Sequence, residues 1–187
     1  MTDFQGLTNQ LLIAMPALGD PNFHHTVTLV VEHNADGALG IVINRPLTVK
    51  MGEIFEQLDL AEPAGKVSQR AVLSGGPVQQ ERGFVLHHPT QKWESTLQVS
   101  DEIGVTTSRD ILSAIASGDG PQESIVALGY AGWTAGQLEA EMQANAWLSA
   151  PASGEIVFTT PFKNRWHAAA RLVGVDIDRI SPEAGHA

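Results

Sequence analysis

The side chains of this chain that could do chemistry sit in a few short clusters. Five of the seven histidines come as His24-His25, His33 and His87-His88, with Glu32 and Asp36 beside His33. A metal site needs two or three imidazoles or carboxylates converging on one point. Neighbours in a strand point to opposite faces, so each histidine pair offers one ligand per face. No His-x-x-x-His or His-Glu-x-x-His spacing occurs, and no metal is expected. The same imidazoles could instead serve hydrolysis, with His33 or His87 as general base to Ser74 or to a water. Ser74 stands before Gly75-Gly76 but lacks the Gly-x-Ser-x-Gly elbow that exposes a nucleophile. A third group offers Arg forks, backbone amides and aromatic walls: Asn44-Arg45-Pro46, Gly75-Gly76-Pro77, Arg82 and Tyr130-Ala131-Gly132-Trp133. Those are the ingredients of a pocket for a small polar or anionic ligand, with Asn44, Arg45, Gly75, Gly76, Arg82, Tyr130 and Trp133 as its expected lining. Finally, Lys163, Arg165 and Arg171 flank Trp166, which could contact phosphates and stack on a base. No P-loop precedes Lys66 and no Gly-x-Gly-x-x-Gly opens a helix, so no nucleotide cofactor is expected.

The elements that must position these groups are short. Leu11–Met15 predicts a buried strand ended by Pro16, and Thr26–Glu32 pairs with Leu39–Asn44 across the turn His33-Asn34-Ala35-Asp36-Gly37. Met51, Ile54, Phe55 and Leu58 have helical spacing within Lys50–Leu58. Ala71–Ser74 and Gly83–His87 predict strands around Gly75-Gly76-Pro77, and Thr96–Val99 with Ile103–Thr107 an antiparallel pair. Ser108 is a candidate N-cap for a helix over Arg109–Ala116 that Gly118 stops. Ser124–Leu128 predicts a strand, and Thr134 with Gln137 a capping box opening a helix to about Asn145. A strand over Glu155–Thr159 and a helix over Lys163–Leu172 complete the chain. Tight turns join most strands where helical crossovers would otherwise be needed, which predicts an α+β fold with a largely antiparallel, curled sheet.

Composition bounds what such a fold could do. A chain of 187 residues that is 43% hydrophobic predicts one globular domain. No apolar run approaches membrane-spanning length, and Met1–Gln5 carries no basic region leading into an apolar core. The absence of cysteine excludes disulfides and thiolate chemistry. The expectation is a cytoplasmic protein with no membrane partner. Eleven Lys and Arg against 21 Asp and Glu give a net charge of -10, which repels phosphate backbones and disfavours direct DNA binding.

The motifs Leu12-Ile13-Ala14-Met15-Pro16, Asp20-Pro21-Asn22-Phe23, Glu32-His33, Gly37–Pro46, Gly75-Gly76-Pro77-Val78, Arg82–His87, Gly129–Trp133, Gly136-Gln137-Leu138-Glu139, Asn145–Leu148 and Arg165-Trp166 follow one another across nearly the whole chain. In this order they resemble the AlgH/YqgE family of bacterial proteins. The resemblance implies an α+β fold with a bent, partly barrel-like sheet surrounded by about four helices. It also implies the family's description as transcriptional regulators, while no catalytic or binding residue is established for the family. Three functions follow as expectations: binding of a small polar or anionic ligand or of a protein partner, a hydrolase with a histidine base, and direct nucleic-acid binding through Lys163, Arg165 and Arg171.

Overall fold

A computed structural model describes residues 6–61, 66–89 and 91–180. The opening segment read for a leader, and Gly65 before Lys66, lie outside the described residues. Ten strands form one sheet: β1 Gln10–Ala14, β2 Val27–Asn34, β3 Gly37–Val42, β4 Pro46–Lys50, β5 Ala71–Ser74, β6 Val78–His87, β7 Thr96–Gln98, β8 Gly104–Thr106, β9 Ser124–Thr134 and β10 Trp147–Pro151. The main path runs β10-β1-β2-β3-β9-β6-β8-β7, with β4 and β5 branching from it. Every pairing is antiparallel except β5 with β9. The sheet curls into a half-barrel, and the fold is mixed α+β as expected. Four α-helices cover it: α1 Met51–Gln57, α2 Arg109–Ser117, α3 Gln137–Gln143 and α4 Arg165–Arg171.

The curl originates in β9, which changes neighbours halfway along. Its first half lies between β6 and β5, pairing Val126 with Val72 and Ala127 with Leu73. Its second half pairs with β3, Thr134 to Gly37 and Ala131 to Gly40. The handover falls at Gly129, whose φ of 82° bends the strand where a side chain would strain it. Gly75 and Gly76 fill the junction: the Gly75 amide donates to the Leu128 carbonyl at 2.7 Å, and its carbonyl accepts from Val42 at 2.8 Å.

Three apolar clusters follow from strand alternation. In β1, Leu11 and Ile13 face the cluster inside the curl, which α4 closes with Trp166, Ala169 and Ala170. Leu12 and Ala14 face the opposite way, toward Trp133, Trp147 and Leu138 of α3. The remaining cluster joins Ile54 and Phe55 of α1 and Ile111 and Ile115 of α2 to Val72, Val85 and Val126.

Several local expectations need correcting. Glu155–Thr159 is a π-helical turn, not a strand, closed by the Thr160 amide on the Glu155 carbonyl at 2.9 Å. The strand expected over Ser124–Leu128 runs on to Thr134, so Tyr130 and Trp133 lie within β9. The N-cap of α3 is Gly136, so Thr134 does not cap it; only the return bond of the expected box forms, from the Thr134 amide to Gln137 Oε1 at 3.0 Å. Ser108 is the N-cap residue of α2 as expected, but its hydroxyl donates to Asp110 and accepts from the Ser95 amide, so it bonds no amide of the helix.

Candidate functional site

Most of the expected lining residues have structural partners, and several adjoin one another: the Arg45 carbonyl accepts from the Ser74 amide at 2.8 Å, and Gly76 runs against Tyr130. Asn44 Nδ2 donates to the His25 carbonyl at 2.9 Å while its Oδ1 accepts from the Val27 amide. Arg45 clamps the same turn, Nη1 on the Asn22 carbonyl at 2.7 Å and Nη2 on that of His24 at 2.9 Å. Burial pushes its guanidinium below the usual arginine range, and Asp20 partly offsets this. The Gly75 amide, expected to face a ligand, is instead bonded inside the strand junction. A Cβ on Gly76 would lie 2.1 Å from the Tyr130 carbonyl carbon, so that glycine serves close approach of two backbones. Trp133 packs into the cluster beside α3 with Phe23 and Trp147 at 6.1 and 6.2 Å between ring centroids. Each of these five has a partner in packing or in a main-chain bond.

Arg82 and Tyr130 do come together, through a residue the sequence reading passed over. The Arg82 guanidinium lies over the Phe84 ring at 5.2 Å, and Phe84 meets Tyr130 edge-on at 5.8 Å. Residues i and i+2 of a strand share a face, so Arg82 and Phe84 of β6 were legible as a pair. They line a cavity of about 370 Å³ at the mouth of the half-barrel, together with Glu32, Leu39, Glu94 and Leu97. Two register irregularities fall at its lining. The β2–β3 register shifts between Val30 and Glu32, and the β6–β9 register shifts between Val78 and Gly83. Bulges of this kind re-aim side chains at sheet rims. Among the described residues the Arg82 guanidinium forms no hydrogen bond or ion pair.

Neither histidine proposed as a base has an open nitrogen on a substrate. The Leu7 amide donates to His33 Nδ1 at 2.9 Å, which places the ring proton on Nε2, where it meets Glu139 Oε1. The carboxyl of Glu139 is held below its usual range, first by its own backbone amide and then by His33, against desolvation. His87 is fully buried: Nδ1 donates to the His88 carbonyl at 3.0 Å, and Nε2 accepts from the Thr106 hydroxyl at 2.7 Å. Burial lowers its pKa, and the His88 carbonyl partly opposes the shift. Both His87 nitrogens are therefore occupied, neither by Ser74. Among the described residues no group of three His, Cys, Asp or Glu could hold a metal ion.

The basic segment is corrected as well. Arg165 is buried and bonded to the Thr160 and Ile43 carbonyls, so it cannot contact a phosphate backbone. Trp166 is buried too, with Nε1 donating to the Ala14 carbonyl at 2.9 Å and its ring stacked on His25 at 4.1 Å. Only Lys163 and Arg171 of that group remain exposed. Among the described residues no helix is long and apolar enough to cross a membrane.

Comparison with known proteins agrees with this architecture. The AlgH-like family model, DUF179, matches residues 11–178. A UPF0301 protein of Nitrosococcus oceani is 55% identical over 179 residues, covering 96% of each chain. One from Thioalkalivibrio sulfidiphilus is 53% identical over 187 residues, covering both chains completely. The solution structure of the AlgH protein from Pseudomonas aeruginosa superposes with a TM-score of 0.81 at 47% identity, over 100% of this chain and 99% of that one. A crystal structure of a Corynebacterium diphtheriae protein shares the fold at a TM-score of 0.72 and 20% identity, over 91% and 89% of the two chains. The chain belongs to the AlgH-like family, bacterial proteins of α+β fold that carry no established function.

Proposed function

We propose that this protein is a binding module for a small zwitterionic molecule, seated in the mouth of the half-barrel. The observation that carries the reading is the Arg82 guanidinium, held over Phe84 at the cavity rim without an acidic partner among the described residues. Glu32 and Glu94 line the same cavity, so a simple anion would be repelled as well as attracted. A ligand with both signs matches the rim: its carboxylate on Arg82, its ammonium toward the glutamates, its apolar part on Leu39, Phe84 and Leu97. The volume of about 370 Å³ suits a free amino acid or dipeptide.

The test is titration of the nitrogen-15-labelled protein with a panel of amino acids and dipeptides, read by amide shifts. Saturable shifts at Arg82–Phe84 and Thr96–Leu97 are expected for at least one member, weakened about tenfold by Arg82→Ala. Shifts confined to other parts of the sheet, or none across the panel, would remove the reading.

A further inference from the structure

Arg165 is the largest fully buried side chain among the described residues, with 1% of its surface exposed. Its Nε donates to the Thr160 carbonyl at 2.8 Å, its Nη1 to the Ile43 carbonyl at 2.7 Å, and the guanidinium lies 4.6 Å from the centre of the Phe162 ring. Those bonds engage two of the nitrogens; among the described residues Nη2 has no partner. Carbonyl dipoles orient a guanidinium but do not neutralise it. A full charge withdrawn from water is costly unless an opposite charge meets it. No carboxylate of the described residues forms an ion pair with Arg165. Burial lowers its pKa to about 10, so it stays charged at neutral pH.

Beside this charge lies a cavity of about 210 Å³, separate from the half-barrel mouth. Arg70 lines it as a second cation, and Ser124 adds a hydroxyl. Not one Asp or Glu lines it, in a chain where acids outnumber Lys and Arg by 21 to 11. The remaining wall is apolar, with Ile115, Phe158 and Phe162 prominent. At roughly 30 Å³ per water-sized group, the space takes about seven such groups, the scale of a small organic acid. That is too small for a nucleotide. It is also too apolar for inorganic phosphate, which would leave the aromatic wall without contact.

We propose that this cavity is a binding site for a small monocarboxylate with a compact apolar body, its carboxylate between Arg165 and Arg70 and its body against Ile115, Phe158 and Phe162. Arg165 supplies a planar fork already fixed by two carbonyls, so little side-chain freedom is lost on binding. Arg70, at the exposed end, closes the charge from the other side.

Benzoate, benzamide and inorganic phosphate are the probes, each titrated into the full chain by calorimetry and amide shifts. Benzoate is expected to bind with saturable shifts at Ser124, Phe158 and Arg165, and the isosteric, uncharged benzamide about tenfold more weakly or worse. Arg70→Gln, an exposed change, is expected to weaken benzoate about threefold to tenfold. Arg165→Met should abolish binding; if that variant does not fold, the comparison of benzoate with benzamide and the Arg70→Gln variant decides the matter. Arg82→Ala should leave benzoate binding unchanged, which keeps this site distinct from the half-barrel mouth. Equal affinity for benzoate and benzamide, phosphate binding as tightly as benzoate, indifference to Arg70→Gln, sensitivity to Arg82→Ala, or no binding of benzoate would each overturn the proposal.

Discussion

Gly75→Ala separates a structural role for the glycine pair from a ligand-facing one, because alanine keeps the amide and adds only a Cβ. An ideal Cβ at Gly75 lies 2.3 Å from the Gly129 carbonyl oxygen. Carbon and oxygen tolerate about 3.3 Å, so the end of β5 must retreat by roughly 1 Å from β9. Both main-chain groups of Gly75 are committed, its amide to Leu128 of β9 at 2.7 Å and its carbonyl to Val42 of β3 at 2.8 Å. Stretching two such bonds forfeits about 1 kcal/mol each, and forced overpacking adds about 1–3 kcal/mol. The expected loss is therefore about 3–5 kcal/mol, which places the change among the more damaging single substitutions. Gly83→Ala is the control: its Cβ would meet only Leu128 Cδ2 at 4.0 Å. A strand glycine with that much room should change stability by about 1 kcal/mol or less. Urea unfolding followed by tryptophan fluorescence reads the difference. With a slope of about 2 kcal/mol per molar, the Gly75→Ala midpoint should fall by about 1.5–2.5 M. A midpoint within about 0.5 M of the parent would refute the crowding argument and return the Gly75 amide to the ligand-facing candidates.

Two further outcomes follow from side chains already placed. The Glu139 carboxyl is held below its ordinary value of 4.5, so it contributes stability that is present above that pH and is lost as pH falls through its folded value. Urea midpoints of the parent should thus decline on acidification more steeply than those of Glu139→Gln, and parallel declines would show that its backbone and His33 contacts add nothing. Arg45→Ala removes the bonds to the Asn22 and His24 carbonyls and should cost about 1–2 kcal/mol, discounted for partial exposure. Amide exchange over residues 20–25 should accelerate while amino-acid binding at the half-barrel mouth persists; loss of that binding would put Arg45 back among the ligand contacts.

What the sequence made legible was local. The hairpin around Ala35 and Asp36 forms with Asn34 paired to Gly37, because turn chemistry and flanking β-branched residues act within a few positions. The helices α1 and α2 appear close to their expected bounds for the same reason. Trp147–Pro151 escaped notice because Trp-Leu-Ser-Ala-Pro carries no β-branched residue; its pairing with β1, Trp147 to Ala14 and Pro151 to Gln10, decides its conformation. Glu155–Thr159 failed in the opposite sense: Ile-Val-Phe-Thr has strand propensity, yet the segment turns π-helically between Gly154 and the Arg165 anchor on Thr160. Arg165 was placed with surface cations because its acceptor on Ile43 lies 122 residues away, beyond the reach of any periodicity argument.

The two cavities are also linked by the pairing of β6 with β9. Phe84 pairs with Ala127 and faces the cluster inside the curl, at the half-barrel mouth. Its neighbour Val85 pairs with Val126, and both turn to the cluster under α1 and α2; Val126 also lines the Arg165 cavity. One antiparallel pair, β6 with β9, thus supplies a wall to each cavity: Arg82 and Phe84 of β6 to the half-barrel mouth, and Ser124, Ile125 and Val126 of β9 to the Arg165 cavity. The handover at Gly129 fixes how far β9 runs straight before it bends toward β3. A shift of one residue in that register would exchange the two faces and remove both walls together. The crowded glycines Gly75 and Gly76, which touch neither cavity, therefore act on both by holding β9 in place.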